Sequence, residues 1–87
     1  MKTSNKPVPD HLSPTGSSYW MDKNGIPHLN FAWAERHYGA MSSESLIWNI
    51  NDCREAVRAN PQNPKNGFYE DTIHVICGIL SRRKEEK

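Results

Sequence analysis

Apolar side chains recur along the second half of this chain at helical intervals. On a helix of about 100° per residue, Tyr69, Ile73, Ile76, Cys77 and Leu80 fall on one side. Thr72, Ile79 and Phe68 widen that side to about half the circumference. A stripe so broad predicts a helix over about Gly67–Arg83 that is covered from two directions and forms the centre of the core. Upstream, Leu46, Ile50, Cys53 and Val57 stand at i, i+4, i+7 and i+11, bordered by Ile47 and Ala56. They predict a second helix over Ser43–Ala59. Ser42 or Ser43 would cap it, and it would end at Asn60 because Pro61 disfavours helical geometry in the residue before it. Trp48 falls on its far side, near Glu44, Asp52 and Glu55.

Earlier still the periodicity shortens. Asn30 can cap a short helix to about Tyr38, stopped at Gly39. Phe31, Ala34 and Tyr38 share one of its faces, and Trp33 and His37, four apart, share another. Between Tyr19 and Leu29, aromatic and apolar residues flank Asp22-Lys23-Asn24-Gly25, a tight-turn signal for a β-hairpin. Pro27 confines the second strand to an edge. Residues 1–18 hold Pro7, Pro9 and Pro14 among small polar residues and read as a flexible tail. The expected architecture is α+β, mainly α: an antiparallel helix pair, a short additional helix and a small N-terminal hairpin. Residues 19–84 form its single domain, and residues 85–87 are a charged end.

Composition narrows the chemistry. With 87 residues, enclosing a large cofactor would leave too little core, and none is expected. Net charge is +1, from 11 basic and 10 acidic side chains, so no part of the chain is a polycation matched to DNA. No apolar run approaches a membrane span. No secretory leader is expected, and Cys53 and Cys77, inside helices, read as reduced core thiols of a cytoplasmic protein, with a bridge between them left open if the two helices pack side by side.

Candidate catalytic sets are thin. His37, Cys53, His74 and Cys77 are ligand types, with His74 and Cys77 three apart on one helix, yet they lack the paired close spacings of zinc modules. No metal is expected. A thiol–imidazole pair among them has no accompanying oxyanion hole or Gly-rich elbow. Glu70 and Asp71, adjacent on a helix, splay apart and do not form an acid/base pair. The chain is expected not to be an enzyme. Two binding classes remain. Trp33 and Trp48 lie off the main stripes, as interface anchors do. With His37, Glu44, Asp52 and Glu55 they make a candidate protein-binding set, and a shared tryptophan face would also allow a homodimer. The alternative is nucleic-acid binding through Arg54, Arg58, Arg82, Arg83 and Lys84.

The segment Asn60-Pro61-x-x-Pro64-Lys65-x-Gly67-x-Tyr69-x-Asp71-x-x-His74 resembles one found in small uncharacterised proteins of bacteriophages and other bacterial mobile elements. The resemblance implies a bacterial cytoplasm and an accessory gene, and carries no site residues. With the tryptophans, it leads to the expectation of a non-enzymatic module that binds a larger bacterial host protein or complex and inhibits or modulates it.

Overall fold

A computed structural model describes residues 9–85 of the chain. Within them lie a two-stranded antiparallel hairpin, β1 (Tyr19–Met21) and β2 (Pro27–Leu29), and three helices. The helices are α1 (Phe31–Gly39), α2 (Ser43–Ala59) and α3 (Asn66–Glu85). The α+β, mainly α architecture expected from the sequence is present.

The hairpin turns on Asp22. Its Oδ1 accepts the N–H groups of Asn24 and Ile26 at 2.8 and 3.0 Å, and the Gly25 N–H donates to the Asp22 carbonyl. Gly25 takes φ +78°, the left-handed region open to glycine. Asn24 stays at negative φ. The loop is therefore a type I turn closed by a glycine bulge, and only one of the two permissive residues uses its freedom.

The starts of α1 and α2 are each set by a polar side chain. The fully buried Asn30 accepts the Trp33 N–H through Oδ1 at 3.1 Å. Ser42 Oγ accepts the Ser45 N–H at the head of α2. Gly39 does not act as a left-handed stop. It is the last helical residue, and Ala40 caps α1 in right-handed geometry. Asn60 caps α2 ahead of Pro61.

Two sets of contacts fix α2 and α3 as antiparallel. At one end the Asn66 amide donates to the Asn60 carbonyl at 3.0 Å. At the other, Arg83 donates to Ser43 Oγ at 2.8 Å and to the carbonyls of Met41 and Gly39 at 2.6 and 3.2 Å. α3 is the hub, touched by α2, α1 and β2. The core consists of Leu29, Ala34, Leu46, Ile50, Val75, Ile76 and Ile79.

The buried face of α3 is rotated from the expected one. Thr72, Val75, Ile76 and Ile79 are buried, while Cys77 is exposed. The half-circumference stripe left its centre open, and with α3 touched by α2, α1 and β2 the buried arc includes Val75. Thr72 tolerates burial because its hydroxyl donates to the Phe68 carbonyl at 2.8 Å. Both cysteines are free; Cys53 is half-buried, so neither is the fully packed thiol expected.

Residues 9–18, expected as part of a flexible tail, instead carry a short 3-10 helix, Asp10–Leu12, and a following turn. The Asn30 amide donates to the carbonyls of Ser13 and Ser17, both at 2.8 Å. The remainder of the expected tail, residues 1–8, lies outside the described residues, as do 86–87.

Candidate protein-contact surface

α2 turns Leu46 and Ile50 inward, which forces the residues two positions along to the outside. Trp48 is 68% exposed and its neighbour Ile47 52%. Glu44, Asp52 and Glu55 are exposed beside them. Glu44, Trp48 and Asp52 follow each other at four-residue spacing, so one strip of the helix presents an indole between two carboxylates. Glu55 is engaged by Arg58 at 3.0 Å, an open pair three residues apart. Such a pair contributes little to stability and leaves both groups free to exchange partners.

Trp33 and His37 occupy a different place. Their rings stack at 4.3 Å with 16° between planes, and Tyr38 meets both edge-on. Trp33 is half-buried and packs on the core. Together with Pro14, Thr15, Arg36 and Ala40, the pair lines an open depression of about 380 Å³. Among the described residues, the ring contacts of Trp33 and His37 are with each other and with Tyr38 and do not reach Trp48. The structure thus brings together Trp48, Glu44, Asp52 and Glu55 along α2, and sets Trp33 and His37 apart as the cover of α1.

The basic residues are divided as well. Arg82 donates to Glu35 at 2.9 Å, and Arg83 is occupied by its three acceptors between α1 and α2. Arg54 and Lys84 are exposed. Among the described residues, no three His, Cys, Asp or Glu side chains converge closely enough to hold a metal ion. Burial, aided by the nearby Asp52 charge, pushes the Cys53 thiol above its usual range. Burial, and secondly Cys53, does the same to the Tyr38 phenol. Both groups are thereby held neutral, the opposite of an activated nucleophile. No helix among the described residues is long and apolar enough to cross a membrane.

Two arrangements lay beyond sequence reasoning. Arg83 reads as one of a run of surface cations, and nothing in its spacing signals three acceptors some forty residues away. His28 stacks on Trp20 and His11 meets it tilted, each at 4.6 Å between ring centroids, and His28 Nε2 lies 2.8 Å from Asp22 Oδ2. Alternation of Trp20 and His28 on facing strands gave a signal for the second contact; His11 gave none. Comparison of the chain with protein-family models, curated proteins and solved structures returned no match.

Proposed function

We propose that the chain is a small non-enzymatic protein-binding module that docks on a larger protein through the outer face of α2. The observation that carries this reading is the indole of Trp48, 68% exposed on a rigid helix and bracketed by Glu44 and Asp52. A tryptophan supplies a large contact area at little conformational cost, which is why it recurs at the centres of interfaces. The acidic bracket favours a partner groove that is apolar at its floor and cationic at its rim. A bacterial, phage-type setting and an inhibitory or modulating role rest on the likeness of residues 60–74 alone.

Nucleic-acid binding is the weaker reading because Arg82 and Arg83 already serve the fold. Of the five cations of that set, Arg54 and Lys84 are exposed, and exposed Arg58 is paired with Glu55.

The test is capture of proteins from a bacterial lysate by the tagged chain and by Trp48→Ala. The wild-type chain retains a defined protein, and the variant loses it while unfolding at the same temperature. Equal capture by both, or a large drop in thermal stability, contradicts the reading. Retention on DNA that falls steeply with salt would favour the nucleic-acid alternative.

A further inference from the structure

Among the described residues, the outer backbone groups of β1 are unpaired beside an apolar groove, while the 3-10 helix Asp10–Leu12 approaches the same strand. In an antiparallel pair, residues alternate between those that exchange hydrogen bonds across the ladder and those whose N–H and C=O groups point away. The bonds from Asn30 N–H to the Ser18 carbonyl and from Asp22 N–H to the Ile26 carbonyl flank the Trp20–His28 pair. The inward set is therefore Ser18, Trp20 and Asp22, and Tyr19 and Met21 aim their backbone groups outward. Neither makes a hydrogen bond on that side with any described residue. Natural edge strands are usually blunted by lysine, proline or a bulge. Tyr19-Trp20-Met21 has none of these, whereas β2 carries Pro27.

The side chains of the same two residues extend this edge into a groove. Tyr19, Met21 and Pro27 form its floor, and Lys65 and Phe68 at the head of α3 form its wall, around about 470 Å³. Tyr19 meets Phe68 edge-on at 6.4 Å. Tyr19 is still 48% and Met21 56% exposed. The Lys65 ammonium stands over the Phe68 and Tyr69 rings at 5.7 and 5.5 Å and pairs with no carboxylate among the described residues. The site thus offers main-chain hydrogen bonds along an edge, an apolar floor and one cation at the rim.

We infer that the free edge of β1 and the Tyr19–Met21–Phe68 groove dock an extended segment of a partner protein that carries an apolar and an acidic side chain two residues apart, on one face of the strand. The segment adds a third strand, so its backbone pairs with Tyr19 and Met21. Its apolar side chain enters the groove, and a carboxylate meets Lys65. This surface is separate from the Trp48 strip, and a partner could engage either without the other.

Titration of the isotope-labelled full chain with the blocked peptide Ac-Thr-Val-Thr-Glu-Thr-NH2, whose valine and glutamate share one face, followed by amide NMR, tests the inference. The Tyr19 and Met21 amides shift and become protected from exchange. The lysine counterpart, Ac-Thr-Val-Thr-Lys-Thr-NH2, binds about tenfold more weakly, and Lys65→Glu reverses that preference. Met21→Lys abolishes binding, and Trp48→Ala leaves it unchanged. Silence of both amides at millimolar peptide, equal binding of the two peptides, an unreversed preference in Lys65→Glu, or shifts centred on α2 would overturn it.

Discussion

Replacing Arg83 by alanine removes the clamp between the end of α3 and the corner joining α1 to α2. The guanidinium donates to Ser43 Oγ at 2.8 Å, to the Met41 carbonyl at 2.6 Å and to the Gly39 carbonyl at 3.2 Å. Hydrogen bonds to a charged group contribute about 1.5–3 kcal/mol each when shielded. Arg83 is only half-buried, so water replaces part of what is lost. Counting the two short bonds at reduced strength and the long one as marginal gives about 2 kcal/mol in all. For a domain of this size that lowers the unfolding midpoint by roughly 8–16 °C. Arg82→Ala is the internal control. Its bond to Glu35 joins two exposed side chains and should cost about 0–1 kcal/mol. Arg83→Lys should recover only part of the loss, because an ammonium cannot span three acceptors with a planar fork. Thermal unfolding followed by circular dichroism reads all three variants. Equal losses in Arg83→Ala and Arg82→Ala would refute the clamp and return Arg83 to the pool of free surface cations.

Asn30→Ala should cost about 2–4 kcal/mol, since it removes the α1 cap and strands the Ser13 and Ser17 carbonyls; urea unfolding measures it. The hydrogen bond from His28 holds the Asp22 carboxyl below its ordinary value of 3.8, helped by the Ile26 amide. A carboxyl lowered on folding stabilises fully above its unfolded value and less as pH falls through its folded one. Hairpin amide protection should therefore decline below about pH 4, and Asp22→Asn should flatten that decline. Cys77, exposed, should react with a thiol reagent at least about tenfold faster than half-buried Cys53, read by mass spectrometry of the singly modified chain.

The helices were legible because α2 and α3 each repeat apolar residues at a helical interval and are punctuated by Ser42, Asn60-Pro61 and Asn66-Gly67. Periodicity gives the existence of a buried face more securely than its direction. On α3 the apolar arc is so broad that neighbours chose its centre, burying Val75 and exposing Cys77. Trp48 was legible as outward-facing because it opposes Leu46 and Ile50 on one regular helix. The packing of Trp33 was not, since it depends on a partner helix and on His37 stacking over it. Least visible were polar side chains with distant acceptors. Asn30 signals a cap locally, but its hold on Ser13 and Ser17 requires the chain to double back. That hold orders residues whose composition alone reads as a tail.

The measurement closest to the central claim is photo-crosslinking from position 48. The full chain carrying benzoyl-phenylalanine in place of Trp48 is irradiated in a bacterial lysate, beside a chain carrying the probe in place of exposed His74 on α3. A discrete adduct with one larger protein from position 48, absent from position 74, is the predicted result. No adduct from position 48, or the same set of adducts from both positions, would contradict it.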